Sequence, residues 1–267
     1  MNNTILCLAI NTARDIFRQP LFYVITGIGA FFTFSSLFFT LFAFGEEVRL
    51  MREMGISTIT ICCLVLVSLS AANSISKEME SGTIFTLLAK PVSKRSVVLG
   101  KFFGIVMVAA AQFLLLGSFL VISLCLKNVF DSHVGFFSSI RVLGGTTFLQ
   151  LFLSFLQVEI MSAIAIAGSI YLSMAANLSC CVFVYIIGNM LSLVQKLFIA
   201  NESSFSWFLS FLYVIFPNLE GMGAIGMGNP LGGHSFNSIL FMVLYTALYT
   251  MLIITVVFEI FEKRECG

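Results

Sequence analysis

Long stretches without a charged side chain decide what this chain can fold into. Residues 21–44 and residues 56–76 contain no Asp, Glu, Lys or Arg. A helix needs roughly 20 apolar residues to cross the hydrocarbon core of a bilayer, which is about 30 Å thick. Similar runs predict further spans at 97–126, 147–172, 178–196 and 238–259. We therefore predict an all-α integral membrane protein with six transmembrane helices, folded as one domain over residues 1–267.

The composition agrees with this class and excludes another. Hydrophobic residues make up 59% of the chain and charged residues 10%, with a mean hydropathy of +1.04. Ordinary globular chains carry about 25% charged residues. A net charge of +1 provides no basic field for nucleic acid, so nucleic-acid binding is excluded. The cysteines show no metal or redox spacing, and we interpret them as small hydrophobic residues.

Two further segments are apolar in part but do not read as spans. Residues 1–20 predict an interfacial helix, whose apolar face is made of Leu6, Ile10, Ala13 and Phe17. Segment 205–220 is aromatic, but its apolar part is too short to cross a bilayer. It predicts a re-entrant hairpin on the outer side, ahead of the sixth span, ending at Pro217 and Asn218.

The distribution of basic residues predicts the orientation. If both termini are cytoplasmic, most of the loop lysines and arginines fall on the inner side, as the positive-inside rule requires. Segment 77–96 then lies in the cytosol. The first outer loop, residues 45–55, carries Arg49 and Arg52 against this trend.

Segment 77–96 is the most densely charged part of the chain, and it contains a short amphipathic run. Ile84, Leu87 and Leu88 share one helical face. Gly82 and Thr83 mark the start of this helix, and Pro91 marks its end. A charge run is usually a solvated loop. An apolar helical face in water instead favours docking into a groove on another protein, and we prefer that interpretation.

Glu159 is an acid well inside a predicted span. A charge at that depth is costly unless it faces a partner, water or the interior of a bundle. It is either a polar contact in a translocation path or at a subunit seam, or a carboxyl that locks two helices together. The sequence leaves both possibilities open.

Motifs for catalysis are missing from the sequence. Residues 221–226 match G-x-G-x-x-G, but Gly228, Asn229 and Pro230 follow and forbid the helix that this motif requires, so we read a loop. There is no Walker A sequence, and no histidine or acid cluster lies inside a predicted span. We expect no catalytic residues, metal or cofactor in this chain.

The cytosolic segment resembles the signature of the type-2 exporter permeases of ABC transporters. The resemblance is carried by Glu78-x-Glu80-x-Gly82-Thr83, Leu87-Leu88, Pro91-Val92-Ser93 followed by Lys94, and Gly100-Lys101. Residues 217–220, Pro-Asn-Leu-Glu, are similar to the family's segment at the outer hairpin. The layout also agrees, with an interfacial helix, six spans and a coupling helix between spans two and three. Phe85 departs from the pattern, because many members carry an acid there.

The resemblance implies the permease subunit of an ATP-driven exporter, which is not an enzyme by itself. Two permease subunits, identical or different, would form the pathway within membrane lipid. Two ATP-binding cassette subunits would bind ATP and Mg. The implied ATPase-coupling residues are Glu78, Glu80, Gly82, Thr83, Phe85, Leu87, Leu88, Pro91, Ser93, Arg95 and Lys101, with Lys101 placed to snorkel to the interface; those of the outer hairpin are Pro217, Asn218 and Glu220.

The family resemblance also implies a location in a bacterial inner membrane. A non-transporting membrane anchor or scaffold that recruits a cytosolic complex is the alternative function. The sequence does not indicate the transported substrate.

Overall fold

Helices form all the regular secondary structure in the computed structural model, which describes residues 2–39, 47–80, 94–132, 136–199, 216–222 and 236–264. The all-α prediction is confirmed for these residues. Within them, seven long helices follow in chain order: α1 (Asn2–Arg18), α2 (Pro20–Phe39), α3 (Glu47–Glu80), α4 (Lys94–Ser132), α5 (Phe136–Ser169), α6 (Met174–Ile199) and α7 (Phe236–Arg264).

Four of these helices are long and apolar enough to cross a membrane. Within the described residues, the spanning stretches are Glu47–Ser74, Arg95–Val129, Gly144–Ser169 and Asn237–Ile260. They overlap the second, third, fourth and sixth predicted spans. Two shorter apolar stretches, Pro20–Ser36 and Met174–Met190, overlap the first and fifth. The chain is therefore an integral membrane protein, while the count of six spans stays a prediction.

Helix α3 begins at Glu47, well before the predicted start of its span at residue 56. Arg49 and Arg52, which the sequence placed in a loop, therefore lie in the helix. Arg49 Nε is 3.0 Å from Glu53 Oε1 one turn later, and such pairs support exposed helix turns. Lys127 Nζ of α4 is 2.7 Å from Glu47 Oε2. The number of consecutive apolar residues predicts the part of a helix that crosses the hydrocarbon. It does not predict the charged turns by which the helix extends beyond that part.

Helix α1 packs on the bundle through a face that differs from the apolar face predicted to lie on the membrane surface. Ala13 is buried as expected, but Leu6 and Ile10 are 64% and 48% exposed. The buried face instead combines Ala13 with Ala9 and Ile16. This face packs against α4, so small side chains are the ones covered. Leu6 and Ile10 remain available to lipid.

Gly100 and Gly104 explain why α1 packs on α4 through its small residues. A Cβ atom on Gly100 would lie 2.6 Å from Leu8 Cβ, and one on Gly104 would lie 2.7 Å from Thr12 Cβ. Glycines four residues apart let two helices approach closely within a membrane. The two glycines therefore form the floor of the contact, and any side chain there would push α1 away.

Helix α3 lies at the centre of the bundle, in contact with α2, α4, α5 and α6. Its fully buried side chains include Met51, Ile59 and Cys63. Asn177 of α6 donates from Nδ2 to the carbonyl oxygen of Ser68 at 3.1 Å. Because this hydrogen bond joins two helices in an apolar environment, it fixes the register of α6 on α3.

We expect Gly104→Ala to destabilise the fold by about 1–3 kcal/mol, the usual cost of overpacking a close contact. Gly27→Ala is the matched control, because nothing lies within 4 Å of the added Cβ and alanine favours a helix. The exposed Cys7 and Cys180 would first be blocked, and thermal unfolding in detergent then followed with a thiol-reactive fluorophore, which reports exposure of the buried Cys62 and Cys63. Equal melting temperatures for the two variants would contradict the proposed α1–α4 contact.

Candidate functional site

The predicted coupling segment, residues 77–96, is bounded by two long helices. Helix α3 ends at Glu80 and α4 begins at Lys94. The backbones of Glu78 and Glu80 lie in the last turn of α3. Their side chains lie outside the described residues, as do Gly82, Thr83, Phe85, Leu87, Leu88, Pro91 and Ser93. The docking contacts of these residues stay a prediction.

Lys101 joins the two flanking helices. The residue is 9% exposed, and its Nζ donates a hydrogen bond to the carbonyl oxygen of Ser74 in α3. A carbonyl oxygen has two lone pairs and can accept this bond besides the one within its helix. Ser74 is the last residue of the spanning stretch Glu47–Ser74, so the ammonium group is held at the end of that stretch. The expectation that Lys101 snorkels to the interface stays a prediction.

The start of α4 has two further contacts. The guanidinium carbon of Arg95 lies 6.0 Å from the centre of the Phe258 ring in α7, within the range of a cation–π interaction. Next to it, Ser96 and Val98 are buried. Helix α1 also packs on Gly100. These contacts together hold the first turns of α4 against α1, α3 and α7.

Glu159 lies in α5 between the buried Val158 and Ile160, and is itself half-buried. Its backbone carbonyl oxygen accepts a hydrogen bond from Ser162 Oγ at 2.6 Å. Within the described part of the chain, no hydrogen bond or ion pair is found for its carboxyl. A carboxyl that locks two helices of one chain requires such a bond.

Residues 216–222, here called the anchored segment, form the described end of the predicted outer hairpin; residues 205–215 lie outside the description. The Asn218 backbone N donates to the Tyr245 hydroxyl of α7 at 3.0 Å. Asn218 Oδ1 accepts from the Gly221 backbone N at 3.1 Å, as an N-cap residue does. Asn218 therefore starts a helical turn and ties it to α7. Pro217 is buried beside it, and Glu220 is half-buried.

Leu219 is the centre of the anchored segment, and it is fully buried. Its backbone N donates to the Gly188 carbonyl oxygen of α6 at 3.3 Å, and its carbonyl oxygen accepts from Gln157 Nε2 of α5 at 2.7 Å. A Cβ on Gly188 would lie 2.9 Å from the Pro217 carbonyl oxygen. Three helices thus hold one short piece of irregular backbone, which is tolerated at membrane depth only where protein buries it.

The sequence identified Pro217, Asn218 and Glu220 but missed most of the residues that hold them. Gln157 lies within the fourth predicted span, and its hydrogen-bond partner is the backbone carbonyl oxygen of Leu219. No pattern in the sequence indicated that Gly188 and Tyr245 contact the anchored segment. A buried amide within a span was the one sequence feature that pointed to this site.

A polar cavity of about 120 Å³ lies between α3, α5 and α6, with Met222 of the anchored segment at its wall. Its α3 lining comes from Glu53, Ile56, Ser57 and Thr60, which share one helical face. The other polar side chains are Gln150, Ser154, Gln157, Tyr185 and Asn189. The sequence did not predict this cavity, because its residues come from three distant helices.

These features define a helical integral membrane protein with a polar site buried among its spans. Residues 22–266 match the family model described as ABC-2 family transporter protein. The chain therefore belongs to the ABC-2 transporter family, and it is a membrane permease component of an ABC transporter. The resemblance seen in the sequence is confirmed, and membership implies an ABC ATPase as partner. A comparison with curated proteins found no match.

We expect Gln157→Leu to loosen the anchored segment. The variant removes the shorter of the two hydrogen bonds that the Leu219 carbonyl oxygen accepts and leaves the one from the Met222 backbone N at 3.2 Å, so we expect a cost of about 0.5–1.5 kcal/mol. Gln112→Leu is the matched control, because neither polar atom of the Gln112 side chain has a hydrogen-bond partner in the described structure. Hydrogen–deuterium exchange should accelerate over residues 216–222 in the first variant alone. Unchanged protection of these amides would show that Gln157 does not hold the segment.

Proposed function

We propose that the chain is one of two permease subunits of an ATP-driven exporter and that its 77–96 segment couples it to the ATP-binding subunits. The observation that supports this most directly is the hydrogen bond from Lys101 to Ser74. It joins the two helices that enter and leave the segment. A docking helix transmits motion only when its flanks move together, and this bond makes α3 and α4 move as a unit.

The proposed mechanism starts with ATP-driven closure of the two ATP-binding subunits, which hold ATP and Mg. Leu87, Leu88 and Phe85 make the apolar contacts with them, and Glu78 and Glu80 the polar ones. Closure displaces the coupling segment and, through its flanks, α3 and α4. Because α3 contacts α5 and α6, the motion reaches the helices that hold the anchored segment. That segment then opens or closes the outer end of the path.

Glu159 supports the pairing of two permease subunits. Its half-buried carboxyl has no partner within the described part of this chain, and a charge within a span requires a partner or water. A second subunit would supply a partner for the carboxyl, and a hydrated path between the two subunits would supply water. We further propose that each permease subunit has six spans and lies in the inner membrane of a bacterial cell. Both of its termini lie in the cytoplasm.

We expect Leu88→Asp to release the ATP-binding subunit. The tagged chain would be purified from membranes of the organism that encodes it, and the ATPase rate of what accompanies it measured. A charge forced into an apolar groove lowers affinity by about tenfold or more, so both the co-purified subunit and the ATPase rate should fall. Leu88→Met is the matched control, because it conserves volume and apolar character.

Normal ATPase recovery with Leu88→Asp would place the contact elsewhere. A native chain that purifies without any ATP-binding subunit would favour the alternative function, a membrane anchor that recruits another cytosolic complex. Membrane insertion of each variant is checked by its yield and elution volume in detergent.

A further inference from the structure

The polar cavity contains a carboxyl group in its lining. Glu53 is the charged residue in its described lining, and its side chain is 32% exposed. It lies in the charged first turns of α3, which also hold Glu47, Arg49 and Arg52, one turn before the uncharged run 56–76. Its carboxyl group is therefore the charged acceptor that a bound cation would meet in this cavity.

Two hydroxyl donors at the α3 wall of the cavity are directed to backbone carbonyls. Ser57 Oγ donates to the Glu53 carbonyl oxygen at 2.8 Å, and Thr60 Oγ1 donates to that of Ile56 at 2.8 Å. Each hydroxyl has one hydrogen, so its oxygen is left as an acceptor.

The two amides follow the same pattern. Gln157 Nε2 donates to the Leu219 carbonyl oxygen at 2.7 Å, and Asn189 Nδ2 donates to that of Tyr185 at 2.9 Å. Each of these amide nitrogens uses one of its two hydrogens on the backbone, and the two amide oxygens are acceptors. Together with the oxygens of Glu53, Ser57 and Thr60 they make the cavity rich in acceptors, while donors in the lining are the second amide hydrogens and those of Gln150, Ser154 and Tyr185. The cavity therefore suits a ligand that donates several hydrogen bonds.

The neighbouring arginines leave Glu53 accessible. Arg49 contacts Glu53 Oε1 at 3.0 Å, but it is 56% exposed and does not line the cavity. Exposed pairs of this kind contribute little and exchange readily with other cations. Arg52 donates from Nη1 to Thr146 Oγ1 at 3.0 Å, and it is not part of the lining. The carboxyl group can therefore meet a second cation from the cavity side.

We propose that the polar cavity binds a primary ammonium group, with Glu53 as its counter-ion and Thr60, Ser57 and Gln157 as acceptors. An ammonium is a compact cation with three donors and no acceptor, which matches this lining. The cavity is small, at about 120 Å³, which suits the compact ammonium end of an amine. A soluble amine and a lipid with an amine headgroup both carry this group.

The first test measures binding of ethylammonium to the purified chain in detergent by saturation-transfer NMR, without any ATP-binding subunit. Ethanol and acetate, of similar size, are the neutral and anionic comparisons. We expect ethylammonium alone to bind. Glu53→Gln should weaken binding by about tenfold, as expected for loss of a charged acceptor. Thr60→Val should weaken it less, by roughly twofold to tenfold.

Glu259→Gln is the control variant, because Glu259 is an exposed acid on α7, outside the cavity lining. Its binding of ethylammonium should equal that of the native chain. Unchanged binding in both Glu53→Gln and Thr60→Val, or equal binding of ethanol, would overturn the proposal. Because no ATPase takes part, the result is independent of whether the coupling assignment holds.

The source of the ammonium is distinguished in lipid nanodiscs. If the headgroup of a membrane lipid occupies the cavity, phosphatidylethanolamine discs should reduce ethylammonium binding relative to phosphatidylglycerol discs. Equal binding in both discs supports a soluble amine. Binding that vanishes in both, after being present in detergent, would overturn the site.

Discussion

Hydrocarbon offers no water to hydrogen bond with, and this constraint shapes the whole bundle. Every backbone group in a span must be satisfied by the protein, which is why the described chain is helical. The hydroxyl side chains obey the same constraint locally. Thr33 Oγ1 donates to the Gly29 carbonyl oxygen at 2.7 Å, and Thr246 Oγ1 to that of Met242 at 2.9 Å. Serines and threonines therefore sit in spans without requiring partners on other helices.

Among the described residues, several polar groups do bond between helices, and their places are informative. Lys101 bonds α4 to α3 beside the coupling segment, while Gln157 and Tyr245 hold the anchored segment. Asn177 joins α6 to α3 between these two levels. A hydrogen bond from a long amide or ammonium side chain fixes the relative register of two helices. Contacts between apolar side chains alone allow one helix to shift along the other. The bundle is thus fixed at the places where the proposed mechanism needs motion to be passed on.

The sequence predicted the class and most of the spans, because the absence of charge over about 20 residues leaves a bilayer as the natural environment. It did not predict which residues meet. Hydrophobicity alone ranks Leu6 above Ala9, so it does not show which face of α1 packs on α4, where close contact with Gly100 and Gly104 requires small side chains. Segments distant in sequence were the harder case. No local pattern connects Gln157 with Leu219, so the anchoring of residues 216–222 was visible only in the fold.

Helix α3 connects the coupling segment with the polar cavity. Ser74, which Lys101 holds, and Thr60, which lines the cavity, lie on one continuous helix about 21 Å apart at 1.5 Å per residue. The opposite wall of the cavity belongs to α5 and α6, which are bonded to the anchored segment instead. If α3 shifts with the coupling segment, the α3 wall moves against the other two and the acceptors separate. Occupancy of the cavity and the state of the ATP-binding subunits would then be linked, and such linkage acts equally in both directions.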